Sequence, residues 1–243
     1  MISILIPIYN GIEFIEESVS SVLRQTYDKS ELIIGVNGHP QDSGVYKTAK
    51  EYEKRSDKIK VLDLFQIRGK SHALNEMVKH CLYDYIALLD VDDIWHDQKL
   101  EIQSTLLNQY DVIGTNCVWF GDRNNVVPNI PVGDISNFDF STVNPIINSS
   151  SVIRRWLCHW NENGIEDYDM WLRLRGESKR FFNCKQVLVR HRIHAASAFN
   201  SKGNDGKVDA LLIHHGHRPR SQQQTSQTKI TVPQVNKIGM KLL

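Results

Sequence analysis

No stretch of the chain is apolar enough over about 20 residues to cross a bilayer. The N-terminus opens directly on Ile2-Ser-Ile-Leu-Ile-Pro-Ile8, with no charged leader segment and no cleavage site, so a secretory signal is not expected. Cysteine is sparse. Cys81, Cys117, Cys158 and Cys184 are far apart and form no Cys-x-x-Cys pair, which argues against a disulfide framework or a zinc site and leaves reduced core thiols. Neither sign of charge is in excess: 29 Lys and Arg face 28 Asp and Glu, a net +1 that names no partner. No dense basic run accompanies an aromatic motif, so nothing points to nucleic acid. What is present is 243 residues at 41% apolar content, enough for one large α/β domain or two closely joined halves. The expected location is cytoplasmic, either free or peripheral to a membrane.

The first half alternates two periodicities. Strand-like runs at 2–8, 31–36, 60–65 and 85–89 alternate with helical spacing over 12–25, 46–55 and 71–81. Repeated strand–helix units predict a parallel sheet with right-handed crossovers. Beyond them the pattern predicts a helix over 97–108, a strand over 112–120, loops over 121–144, a short strand over 149–153, a helix over 167–174 and a last core strand over 186–193. From about Ser201 the composition turns polar, which fits a disordered tail or one that wraps the core. His214, His215 and His217 in that tail read as a solvated segment rather than a metal site.

One run stands out. Ile86-Ala-Leu-Leu-Asp90-Val91-Asp92-Asp93 ends a buried strand in three carboxylates, at the strand edge where open α/β sheets bind ligands. Crowded carboxylates repel unless a cation sits among them, and hard ions such as Mg²⁺ or Mn²⁺ take oxygen ligands and hold phosphates as well. The same residues are also ordinary turn formers and caps, and Asp93 precedes a helical spacing that it could cap.

Taken with its neighbours, this run resembles part of a known pattern. Ile2-Ser-Ile-Leu-Ile-Pro-Ile-Tyr-Asn10 is followed by Ser18-Val-Ser-Ser-Val-Leu-Arg-Gln-Thr26, Glu31-Leu-Ile-Ile-Gly-Val-Asn37, Asp90-Val-Asp-Asp93, Glu166-Asp-Tyr-Asp-Met-Trp-Leu-Arg-Leu174 and Arg192-Ile-His-Ala-Ala-Ser197. In this order the blocks resemble the family-2 glycosyltransferases over roughly residues 1–200. The resemblance implies a GT-A fold, a mixed and mainly parallel sheet flanked by helices. It implies a nucleotide-sugar-binding half over 1–115, an acceptor half over 116–200, and the polar tail over 201–243. It also implies inverting transfer from a nucleotide-sugar, expected to be a UDP-sugar, to a hydroxyl on a saccharide, lipid-linked or protein acceptor, assisted by Mn²⁺ or Mg²⁺.

Residue roles follow from the resemblance and from the chemistry together. Asp92 is the first choice as metal ligand. Asp90 would contact the metal or the donor, and Asp93 is expected to be structural. His194, less so His191, would complete the metal shell or contact the diphosphate. Asp167 is the expected general base and Glu166 its helper, although both equally suit a helix N-terminus; Asp169 is the competing carboxylate. Pro7, Tyr9, Asn10 and Asn37 would line the donor nucleoside, and Lys70 or Arg68 would meet the diphosphate. The chain departs from the family pattern at Asn37-Gly38-His39, where an acidic pair is common, and at Leu74, where an arginine is common. Trp156, Trp160 and Trp171 fit either a sugar platform or core packing. Two other readings compete: a degenerate, non-catalytic binding subunit, and a sugar-phosphate nucleotidyltransferase, against which the absence of a Gly-rich loop after the first strand counts.

Overall fold

The computed structural model describes residues 1–162, 165–195 and 204–223. Four strands form its parallel half: β1 (Ile2–Ile8), β2 (Ser30–Asn37), β3 (Ile59–Leu64) and β4 (Tyr85–Leu88). They are linked by α1 (Ile15–Leu23), α2 (Gly44–Glu51) and α3 (Lys70–Val78). Then come β5 (Ile94–Trp95), α4 (Lys99–Ser104), β6 (Val112–Gly121), β7 (Gly133–Asp134), β8 (Val152–Arg154), α5 (Glu166–Gly176), β9 (Phe181–Ile193), α6 (Asn204–His214) and α7 (Arg220–Gln223). The sheet order is β3-β2-β1-β4-β8-β6-β9-β5, with β7 on β9. Strand β8 runs antiparallel to both β4 and β6, and β6 runs parallel to β9. It follows that β1, β4, β6 and β9 all point the same way, and their C-terminal ends share one edge.

Alternation along β1 decides the two layers. Ile4, Ile6 and Ile8 face α1 and α4, with Val19 and Leu100 behind them. Leu5 faces the opposite cluster, with Leu74 and Met77 of α3 and Met170 and Trp171 of α5. Helix α3 packs so close to β2 that a Cβ on Gly35 would collide with Met77 Sδ, so a larger residue there would force the Met77 side chain to move. No helix among the described residues is long and apolar enough to cross a membrane.

Element boundaries depart from the sequence reading where local hydrogen bonds compete with periodicity. The expected 12–25 helix begins with a 3-10 turn, Ile12–Phe14, because Gly11 turns the chain at φ 85°. The 149–153 strand splits into a 3-10 turn, Asn148–Ser150, and β8. The last strand starts at Phe181, five residues earlier than its apolar pattern, and absorbs a register shift opposite Thr115–Cys117. Strand β6, Val112–Gly121, belongs to the one sheet that runs through residues 2–193. The polar tail divides: 204–223 form α6, α7 and their turn, Leu211 and Leu212 are buried, and 224–243 lie outside the described residues.

Asp93 is not a helix cap. Ile94 and Trp95 pair with β9 instead of starting a helix, and α4 begins only at Lys99 after Gln98. Lys99 itself is fully buried, with Nζ 3.9 Å from the Trp95 ring centroid and donating to Gln103 Oε1 at 2.8 Å. Burial holds its pKa well below the ordinary lysine value. A lysine whose pKa is lower folded than unfolded makes stability rise with pH between the two values. Lys99→Met is therefore expected to be more stable than the parent by about 1 kcal/mol at pH 7. That gap should shrink toward pH 10, as read from urea unfolding at both pH values. A gap that does not change with pH would show that the cost of burying the lysine's charge is not the source.

Candidate active site

The strand edge shared by β1, β4 and β9 gathers the acidic run. Asp90, just past β4, is half-buried and bound from three sides. Lys70 Nζ donates to its Oδ1 at 2.5 Å, Asn148 Nδ2 reaches both oxygens at 3.2 and 3.1 Å, and its backbone N–H donates to Ser149 Oγ at 3.0 Å. Burial alone would raise this carboxyl, but Lys70 and Asn148 outweigh it and hold it below the usual range. Asp93 is fully buried. It takes the His191 ring at 3.0 Å on one oxygen and the Arg192 backbone N–H at 2.8 Å on the other. Burial opposes charge on His191, yet Asp93, with Asp90 and Asp92 behind it, holds the imidazolium up to about 9. Asp93 thus ties the acidic turn to β9, a structural role different in kind from a cap.

Asp92 is the least compensated of the three. Its Oδ2 meets His194 Nε2 at 2.9 Å, while burial and then the charges of Asp93 and Asp90 push its carboxyl above the usual value. A carboxylate crowded by two others is the group that a cation relieves most. Arg192 holds this turn from outside: its Nε donates to the Asp92 carbonyl at 2.8 Å and its Nη2 to Glu17 at 2.7 Å. Among the described residues no group of three or more His, Cys, Asp or Glu side chains is gathered as a complete metal cage. Mg²⁺ and Mn²⁺ do not require one, since one or two carboxylates with substrate phosphates suffice. Asp92, the least compensated carboxylate, fits that limited ligand role.

Glu166 and Asp167 open α5, after Ile165, which caps the helix with no side-chain bond. Asp167 accepts from Asn144 Nδ2 at 3.0 Å and from the Tyr168 N–H at 2.8 Å. Burial pushes its carboxyl up, partly offset by Lys70 and Asn144. Lys70 joins the two ends of the site. Burial works against its charge, but Asp90, Glu166 and Asp167 together raise its pKa above the ordinary lysine value. Its position at the first turn of α3 is set by Gly69, whose φ of 89° turns the loop into the helix.

On the nucleoside side, Tyr9 is 54% exposed beyond β1 and its ring lies 5.4 Å from that of His39. Asn10 is exposed and Pro7 half-buried, whereas Asn37 is only 2% exposed and offers a ligand little surface. Gly38 sits at φ 75° against Tyr9 and Arg68, and Arg68 Nη1 donates to its carbonyl at 2.9 Å. At the Leu74 departure, Leu74 is core, and Asn75 pins the Trp160 backbone with two bonds of 2.8 and 2.9 Å. Trp160 and Trp171 are fully buried and Trp156 is 69% exposed on the strand edge away from the acidic run, so the three form no platform. Asp169 is 5% exposed and engaged by His215, turned from Asp167, and His215 is thereby no member of a solvated segment. Ser197 lies outside the described residues.

Asn144, Asn148 and Ser149 escaped the sequence reading. They belong to a loop whose composition carries no chemical signature. The one available signal was a pair of asparagines flanking Pro145 just before a strand that enters the ligand edge.

Comparison with known proteins agrees with this geometry. The family model described as "Glycosyl transferase family 2" matches residues 3–200. The UDP-Glc:alpha-D-GlcNAc-diphosphoundecaprenol beta-1,3-glucosyltransferase WfgD of Escherichia coli is 27% identical over 220 residues, covering 83% of this chain and 81% of that protein. Among solved structures, TarS of S. aureus in complex with UDP-GlcNAc superposes with a TM-score of 0.69 at 16% identity over 88% of this chain. The mannosyltransferase PcManGT of Pyrobaculum calidifontis, in complex with GDP-Man and Mn²⁺, gives 0.65 at 15% identity over 95%. The chain spans 65% of each of those two solved chains. At such identities the superpositions speak for the fold, a mixed and mainly parallel sheet flanked by helices. The family match over most of the length, the fold and the acidic strand edge lead to one conclusion: the chain belongs to glycosyl transferase family 2 and is a glycosyltransferase of the GT-A fold.

Proposed function

We propose that the chain transfers a sugar from a UDP-sugar to an acceptor hydroxyl with inversion at the anomeric carbon. The observation that carries this reading is Lys70, whose charge spans the acidic turn on one side and Glu166 and Asp167 on the other. This linkage supports a reading in which leaving-group chemistry and proton removal share the surroundings of Lys70. Tyr9 and Asn10 offer exposed surface to the nucleoside at the β1 end, with Pro7 beside them, while Asn37 lies buried beneath. Lys70 supplies positive charge for the diphosphate and steers Asp90. Asp92, with Asp90 and His194 nearest, would hold Mn²⁺ or Mg²⁺, which when bound neutralises charge on the departing diphosphate.

Asp167 accepts the proton of the attacking hydroxyl, and Glu166 helps to orient the acceptor. The acceptor oxygen forms its bond to the anomeric carbon as the bond from that carbon to the phosphate oxygen breaks, and the electron pair leaves with the nucleoside diphosphate. A single displacement inverts the centre. The β-linkage in the name of the E. coli relative, made from a UDP-sugar, supports inversion. That name and the UDP-GlcNAc bound in the TarS structure favour uridine, and the relative's lipid-linked acceptor suggests a saccharide on a lipid carrier reached at a membrane surface.

The test is release of nucleoside diphosphate from a panel of nucleotide-sugars with Mn²⁺, alone and with glycan acceptors. UDP-sugars are expected to turn over and chelation by EDTA to stop it. Binding without any turnover would move the chain to the non-catalytic reading.

A further inference from the structure

The tail beyond β9 returns to the back of the catalytic helix. Leu211 and Leu212 of α6 enter the same apolar cluster as Tyr168, Met170, Trp171 and Leu174 of α5. Two polar anchors then meet consecutive residues. His215 Nε2 donates to Asp169 Oδ1 at 2.6 Å, with side chains only 16% and 8% exposed. Arg220 Nη2 donates to Tyr168 Oη at 2.8 Å and its Nε to the Ser141 carbonyl at 3.1 Å, while the Tyr168 hydroxyl donates to the Phe140 carbonyl at 2.5 Å. Asp209 in turn holds the start of α7, accepting from the Arg220 N–H at 2.7 Å and from Ser221 Oγ at 2.6 Å.

Asp167 directly precedes both anchored residues. It sits in the first turn of a helix that lacks a side-chain cap, where backbone N–H groups have no partner within the helix and the turn frays most easily. We propose that the α6–α7 segment is a clamp that fixes this turn, with His215, Asp169 and Arg220 as positioning residues for the carboxylate of Asp167. The inference rests on Asp167 being the base. Its physical basis is that a displacement of about 1 Å at a reacting group costs on the order of 10²-fold in rate. The anchors act on the turn from behind, through Tyr168 and Asp169, so they control where Asp167 stands without touching substrate.

The experiment compares steady-state kinetics of the full chain carrying His215→Ala, His215→Gln, Arg220→Ala and Asp167→Asn, each with its folded fraction measured. His215→Ala is expected to lower kcat on the order of tenfold while KM for the nucleotide-sugar stays within about twofold, because the donor half is not touched. Glutamine places an amide N–H near the imidazole Nε2 position, so His215→Gln should recover most of that loss. Arg220→Ala should repeat the kcat effect independently. Unchanged kcat in both alanine variants overturns the clamp, as does a loss that follows the unfolded fraction or raises donor KM in proportion. If Asp167→Asn is inactive while the alanine variants are fully active, only the clamp falls. If Asp167→Asn is fully active, the base assignment falls and the clamp with it.

Discussion

Asp167→Asn is expected to reduce transfer by 10²- to 10⁴-fold, with nucleotide-sugar binding retained and the fold intact. The substitution keeps the shape of the side chain, and the acceptor of the Tyr168 N–H survives because an amide oxygen can take that place. It removes the one property the reaction needs there, a lone pair that can take a proton. The environment of Asp167 supports the assignment. Burial raises its pKa while Lys70 and Asn144 restrain the rise, so the carboxylate is more basic than an exposed one. The sign for activity follows. The base works deprotonated, so kcat should fall as pH drops through this raised pKa, at a higher pH than an unperturbed aspartate would give. Asn144→Ala removes a bond that favours the ionised form and should move that acid limb further up. A pH profile in Asp167→Asn with residual activity and the same acid limb would assign the limb to another group, and full activity would end the assignment.

How far the site was legible beforehand depended on what each residue answers to. The strands of the parallel half follow from runs such as Ile4-Leu-Ile-Pro-Ile8, because burial on both faces demands continuous apolar sequence. Asp90, Asp92 and Lys70 stand out as candidates because carboxylates and a lysine at such spacing suit cation and phosphate chemistry, and the fold brings Lys70 onto Asp90. Asp93 was read as structural for the wrong reason. Its partners, His191 and the Arg192 N–H, lie about a hundred residues away, and no local pattern announces a pairing across strands. Asn144 and Asn148 were illegible for a related cause: a polar loop residue becomes a site residue only when the sheet brings the loop over the strand edge. The tail misled by composition. Its polar residues outnumber Leu211 and Leu212, yet two leucines, one histidine and one arginine suffice to seat 204–223 on α5.

The adjacent carboxylates Asp92 and Asp93 should fail in different ways. Asp92→Asn keeps the volume and the contact to His194 but removes the charge that burial, Asp93 and Asp90 make costly without a counter-ion. Transfer should fall by about 10²- to 10³-fold, the size expected when charge stabilisation at a leaving group is lost. The rise in thermal stability that Mn²⁺ with UDP gives the parent should vanish, since a ligand stabilises only the folded state it binds. The melting temperature without ligand should hold or increase, because relieving carboxylate repulsion favours folding. Asp93→Asn acts on stability instead. It weakens the charge-assisted bond to His191, which the pair holds protonated at neutral pH, and leaves a buried imidazolium facing a neutral amide. A cost of about 1–3 kcal/mol in unfolding free energy is expected, largest below the ordinary histidine pKa of 6.5 and fading as pH rises from there to about 9, where the folded imidazolium gives up its proton. Mn²⁺ and UDP should still stabilise the fraction that folds. The two variants exchange outcomes if the division of labour is wrong: an unstable Asp92→Asn that still responds to Mn²⁺, beside a stable Asp93→Asn that does not, would assign the cation to Asp93. The carboxylate that β9 has already paired has the least reason to bind an ion, and that difference in partners is what separates Asp92 from the residue next to it.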